Sequence, residues 1–153
     1  GLWRRSLYTY IKRQAPPPML LTFDGPTREK CTMRRARTNT PLQALQLLND
    51  DTFLEASRVL AGKILGSDGE VQQKLTRLWK TVLSRDPTPS EVALLQGLLD
   101  RQRKRFADNP TSAKQYLKVG KSRPETKLDP VELASWAVIV HTLLNLDETI
   151  TKR

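Results

Sequence analysis

At 153 residues the chain is long enough to bury one core and short for two. Lys+Arg outnumber Asp+Glu by 26 to 16, a net +10, so the charge favours an anionic partner: nucleic acid, an acidic polysaccharide or the acidic face of a neighbouring domain. Cys31 is the single cysteine, which excludes an internal disulfide and any Cys-based zinc or haem motif, and no run of eighteen apolar residues exists to cross a membrane.

The first forty residues form an arm. Residues 1–37 hold nine bases (Arg4, Arg5, Lys12, Arg13, Arg28, Lys30, Arg34, Arg35, Arg37) and two acids, Asp24 and Glu29. Arg4 to Arg13 is compatible with a short helix or with a strand favoured by Tyr8, Thr9, Tyr10 and Ile11. Pro16-Pro17-Pro18 enforces an extended stretch, Met19 to Phe23 has strand character, and Asp24-Gly25-Pro26 is a turn signal. An irregular stretch this long is unusual in a self-sufficient domain. With no initiator Met and no visible signal peptide, the chain reads as a processed or excised piece whose arm, residues 1–39, belongs to a larger fold. Residues 40–153 read as a helical domain.

Helix starts are then marked by three similar cassettes: Thr40-Pro41-Leu42-Gln43, Thr88-Pro89-Ser90-Glu91 and Asp129-Pro130-Val131-Glu132. The first side chain accepts from a free amide of the first turn, proline fits where no amide partner is lost, and Glu or Gln reaches back to the cap's own amide. Leu42, Leu45, Leu47, Leu48, Phe53, Leu54, Val59, Leu60 and Ile64 extend one apolar pattern, broken at Asn49-Asp50-Asp51, with Asp51 expected to cap the second piece. Gly66-Ser67-Asp68-Gly69 makes a turn. Val71, Leu75, Leu78, Trp79 and Val82 recur at three-to-four spacing, and Ser84-Arg85-Asp86-Pro87 ends that helix.

From Ser90 to about Phe106 the stripe is Val92, Leu95, Leu98, Leu99 and Phe106, with Arg101, Arg103, Lys104 and Arg105 read as a solvated helix end that complements the dipole. Asn109-Pro110 caps a short helix to about Lys118, and residues 120–127 read as a polar linker with nothing to bury. The last helix, from Asp129 through Leu146, has almost no polar face, so it is expected at the centre of the bundle.

Catalytic constellations are nearly all excluded by residue type. His141, the one histidine, lies in the most hydrophobic helix and reads as a core residue. No second His or clustered carboxylates indicate a metal site, and no Gly-rich phosphate loop is present. Asp50 and Asp51 are adjacent and better suited to capping than to acid–base work. Cys31 sits among bases that favour a thiolate, yet has no His partner in sequence reach.

What remains is RRARTNTPLQALQLLND, residues 34–50. If Thr40 caps a helix, Arg37, Thr38 and Asn39 stand before its positive end, where free amides, the dipole and the guanidinium groups of Arg28, Arg34 and Arg37 could hold an anion. The competing structural reading pairs these arginines with Asp24, Glu29, Asp50 or Asp51, locking the arm onto the helices. Nucleic-acid binding has the charge in its favour, but no known motif and no aromatic residues interleaved with the basic run.

The strings RRSLYTYIKRQAPPPMLLTFDGPTREKCTMRRARTNTPLQALQLLND and ELASWAVIVHTLLNLDETITKR resemble the C-terminal part of the planctomycete-type domain of unknown function 1553. Positions matching its pattern include Arg5, Asp24, Pro26, Arg28, Cys31, Arg34 and Arg37. They continue through Thr38, Asn39, Thr40, Pro41, Gln43, Asn49 and Asp50 to Asn145, Leu146 and Asp147, while residues 66–127 resemble it only loosely. The resemblance implies an exported bacterial protein, often with a cytochrome-c-like domain upstream. Haem would then belong to that separate domain, since this chain lacks the attachment sequence.

The expected architecture is all-α: an irregular bundle of about five or six helices around a buried C-terminal helix, with an extended basic N-terminal arm. The expected role is a structural and interaction module docking on preceding domains of the same polypeptide, with an anion- or glycan-binding surface formed by Arg28, Arg34, Arg37, Thr38, Asn39 and Thr40. Two alternatives are an active site shared with another domain, with Arg34, Arg37 and Asn39 binding a polysaccharide-related substrate, and non-specific nucleic-acid binding. No cofactor and no membrane span are expected in this chain.

Overall fold

A computed structural model describes residues 9–12, 14–26, 29, 31–34, 36, 38–122 and 128–151. Among them are eight helices and no strand, and the chain divides into two compact units, Gly1–Leu47 and Leu48–Arg153. Most of the expected Arg4–Arg13 element lies outside the described residues.

In the first unit the chain is extended at Pro17 (φ −54°, ψ 129°) and turns helical at once, as α1, Pro18–Thr22. The strand expected over Met19 to Phe23 is therefore a helix. A strand needs a neighbour to pair its amides, whereas this turn pairs its own, and Pro18 at the first helical position sacrifices no hydrogen bond. The Thr22 hydroxyl adds a bond to the Pro18 carbonyl at 3.1 Å. Beyond it the expected turn is present: Asp24 is left-handed at φ 57°, and Gly25 donates its N–H to the Leu20 carbonyl at 2.6 Å. A Cβ at Gly25 would lie 2.5 Å from that carbonyl oxygen, so the close approach requires glycine. The helix α2, Pro41–Asn49, starts from the Thr40 cassette.

The second unit holds α3 (Asp51–Leu65), α4 (Val71–Leu83), α5 (Pro89–Asp108), α6 (Pro110–Leu117), α7 (Pro130–Leu144) and the four-residue α8 (Asp147–Ile150). As its composition demands, α7 is buried nearly all round, from Leu133 through Trp136, Ala137, Ile139 and Val140 to Leu143. It packs most extensively against α3, then against α5 and α6. Leu75, Leu78 and Trp79 of α4 and Leu95, Leu99 and Phe106 of α5 complete the core around it.

The caps explain the boundaries and correct one expectation. Asp50, not Asp51, caps α3: its carboxylate accepts from the amides of Thr52 at 2.8 Å and Phe53 at 3.3 Å. Asp51 then occupies the first turn, where a negative charge still complements the dipole. Thr88 and Glu91 form the full reciprocal box at α5, and Asn109 caps α6. At α7 only half the box forms. Asp129 accepts from the Glu132 amide at 2.9 Å, but the Glu132 carboxylate turns to Arg103 and Trp136.

The continuous apolar pattern expected across α2 and α3 is not one buried stripe. In α2 Leu47 is buried while Leu42, Leu45 and Leu48 are exposed, and in α3 Val59 is exposed. The buried face of α3 instead carries Glu55, Ser57 and Arg58 before Ala61, Gly62 and Ile64.

Candidate functional site

The expected anion site begins at the first turn of α2. Gln43 donates its amide N–H to the Thr22 carbonyl at 2.9 Å and to the Thr38 hydroxyl at 3.1 Å. Its Oε1 accepts the Thr40 N–H at 3.2 Å, and the Thr40 hydroxyl accepts the Gln43 N–H at 3.4 Å. Only 3% exposed, this glutamine is both half of the capping box and the peg that fixes residues 38–40 beside α1. The sequence reading gave it only the first role.

Thr38 has a second anchor. Its N–H donates to Asp24 Oδ2 at 2.8 Å, and its hydroxyl lies 2.8 and 3.0 Å from the two carboxylate oxygens. The carboxylate at the approach to α2 thus comes from the chain itself, and among the described residues Thr38 donates to it. Asp50, a second expected arginine partner, is the α3 cap. Of the other predicted site residues, Thr40 is half-buried, whereas Arg34 and Asn39 are exposed. Arg28 and Arg37 lie outside the described residues, so the clustering of guanidinium groups remains part of the proposal below. Cys31 is exposed with a free thiol.

Three charged assemblies in the second unit escaped the sequence reading. In the first, Glu55 and Arg58, at 3% and 4% exposure, hold the chain after α6. The Glu55 carboxylate accepts the N–H groups of Lys121 at 2.9 Å and Ser122 at 2.8 Å. Arg58 donates to the carbonyls of Leu117 at 2.5 Å and Ser122 at 2.7 Å and to the Ser122 hydroxyl at 2.7 Å. Hydrogen bonding from Ser122 and Lys121, with the Arg58 charge in support, holds the Glu55 carboxyl below the usual carboxylate range against the opposing effect of burial. The start of the expected polar linker is therefore anchored, while residues 123–127 lie outside the described residues. A signal existed: Glu55 and Arg58 share a helix face with Ala61 and Gly62, small residues that let another element approach.

In the second assembly Arg103 donates to Glu132 from both Nε, at 2.9 Å, and Nη2, and the Trp136 indole N–H donates to the same carboxylate at 2.9 Å. Burial pushes the Glu132 carboxyl up, but hydrogen bonds from Arg103 and Trp136 outweigh it and leave the group below its ordinary range. The α5 basic run is thus not wholly a solvated end, because Arg103 ties α5 to α7.

In the third, Arg85 spends all five N–H donors: two on Glu91, two on Glu148 and one on the Asp86 carbonyl. Its guanidinium carbon lies 5.0 Å from the centre of the Trp79 ring. Arg85 and the Thr88 amide hold the Glu91 carboxyl down to about 2. Beside this cluster is a cavity of about 810 Å³ lined by Trp79, Leu83, Glu91, Leu146 and Glu148 among others. The Trp79 indole N–H is buried without an acceptor.

His141 is 7% exposed, with the Tyr116 hydroxyl 3.5 Å from its Nδ1, a core position rather than a cleft. Burial pushes the Tyr116 phenol up to about 12. Among the described residues no group of three or more His, Cys, Asp or Glu side chains is placed to hold a metal ion, and no helix is long and apolar enough to cross a membrane.

Residues 1–99 match the family described as "PSD1: Protein of unknown function (DUF1553)". No curated protein and no solved structure matches the chain.

Proposed function

The chain belongs to the DUF1553 family, and from that premise we propose that it is a structural and interaction module of an exported multidomain bacterial protein. In this reading its basic N-terminal segment docks on preceding domains of the same polypeptide and offers an anion- or glycan-binding surface built from Arg28, Arg34, Arg37, Thr38, Asn39 and Thr40. Export and the additional domains rest on the planctomycete-type resemblance of the two terminal strings.

The observation that carries the proposal is the fate of the acids in the first unit. Nine Lys+Arg share residues 1–47 with Asp24 and Glu29 alone. Asp24 is engaged by the N–H and hydroxyl of Thr38, where it orders the approach to α2. Excess positive charge in the segment that leads into a preorganised helix entrance is what would attract a carboxylate or sulfate from solution.

Calorimetric titration with polygalacturonate tests it. Arg34→Ala with Arg37→Ala should weaken binding at least about tenfold, a loss near 1.4 kcal/mol, without lowering the melting temperature. Unchanged affinity rejects the surface. Equal affinity for duplex DNA, falling steeply and linearly with the logarithm of salt concentration, would identify a generic polyelectrolyte effect instead.

A further inference from the structure

The exposed apolar side chains are distributed unevenly. Among the described residues, Tyr10, Leu21, Met33, Leu42, Leu45 and Leu48 are exposed in residues 9–48, against Val59 and Leu94 in all the rest. Three of the six form one face of α2. Leu42, Leu45 and Leu48 are 58%, 56% and 46% exposed, while Gln43 and Leu47, both 3% exposed, occupy the opposite face. At 1.5 Å rise per residue, the three leucines make a ridge roughly 9 Å long. A ridge of this kind marks an interaction surface rather than the random scatter of a solvated face.

We propose that the Leu42–Leu45–Leu48 ridge is the apolar centre of the docking surface, and that its occupant is an acidic protein surface with an apolar groove, supplied by another domain of the same polypeptide. This rests on the docking role proposed above and adds the chemistry of the partner. Charge complementarity selects the occupant. With nine bases against two acids in residues 1–47, a second copy docked there would bring like net charge to the contact. An anionic membrane surface fits less well. An interfacial helix carries bases along its polar face, whereas PLQALQLLN has none. A groove rimmed by Asp and Glu satisfies both the leucines and the net positive charge of residues 1–47.

The test places the photo-crosslinking residue p-benzoylphenylalanine at position 45 of the natural-length polypeptide and maps the products by mass spectrometry. The expected product joins position 45 to a net-acidic segment outside residues 1–153. Its yield should fall more than about tenfold with Leu42→Glu, and also fall with the milder Leu42→Gln, in protein whose circular dichroism is unchanged. Crosslinks confined to residues 48–153, crosslinks to a second copy, or no crosslink would each overturn the proposal. So would co-sedimentation with phosphatidylglycerol vesicles that Leu42→Glu abolishes. The two proposals fail separately: an acidic crosslink without polygalacturonate binding removes the ligand surface and keeps the docking ridge. Arginine-dependent polygalacturonate binding without the crosslink does the reverse.

Discussion

Glu55 and Arg58, one turn apart on α3, grip the same loop through opposite halves of its peptide groups. Glu55 takes the N–H groups of Lys121 and Ser122, and Arg58 gives to the carbonyls of Leu117 and Ser122. The two side chains approach each other only to 4.0 Å. Each is satisfied by the backbone between them more than by its partner. Such a pair fixes where the chain leaves α6, and neither member can be removed without stranding the other's environment.

Replacing Arg58 by Met keeps much of the volume and deletes the donors. The Leu117 carbonyl and the Glu55 charge are then left in a buried site, which should cost about 3 kcal/mol, near the low end for breaking a buried pair because Glu55 keeps its two amides. For a domain of this size the melting temperature should fall by roughly 6–12 °C. A thermal melt followed by circular dichroism reads it. A fall under a degree would mean that the loop is not held as described.

Two glycines make a paired prediction. Gly120 has φ +97°, and a Cβ there would lie 2.7 Å from Cβ of Glu55. Gly120→Ala therefore combines left-handed strain with a clash and should destabilise by about 2–4 kcal/mol. Gly97 lies inside α5, and a Cβ there would meet nothing within 4 Å. Gly97→Ala should stabilise by about 0.5–1 kcal/mol through helix propensity and a less free unfolded chain. Urea midpoints moving in the same direction for both variants would refute this assignment.

Acid should loosen the second unit in a defined window. Arg85 first, then the Thr88 amide, depress the Glu91 carboxyl to about 2 from an ordinary 4.5. A folded-state pKa below the unfolded one gives stability that is complete above about pH 4.5 and is lost as pH falls towards 2. Glu55 and Glu132, also depressed, act in the same direction. Melting temperatures of the parent and Glu91→Gln should differ most near pH 5 and converge near pH 2. A constant gap across that range would exclude the Arg85–Glu91 contribution.

The α3 cap separates two neighbouring aspartates. Asp50→Ala removes the acceptor for the Thr52 and Phe53 amides and should cost about 1 kcal/mol. Asp51→Ala loses only a charge–dipole interaction, roughly 0.3–0.5 kcal/mol. Denaturant unfolding of both variants resolves the order, and a larger loss for Asp51 would restore the cap assignment made from sequence.

The sequence by itself determined the helical class, the starts of α2, α5 and α7 and the burial of α7. These depend on signals within one turn: a cap, a proline and the spacing of apolar residues. It also marked residues 34–50 as the segment of interest. It could not assign Asp50 over Asp51, because adjacent carboxylates are equivalent until the backbone chooses which one stays extended at φ −80°, ψ 121°. Tertiary structure alone decided that Glu132 leaves its own cap for Arg103, that Glu55 and Arg58 face a loop more than sixty residues away, and that the Leu42, Leu45 and Leu48 side chains are about half exposed. The physical reason is range. A helix start is satisfied by its own neighbours, whereas a charged or apolar side chain takes the partner that folding brings to it, and one chain's periodicity does not say which face another element will cover.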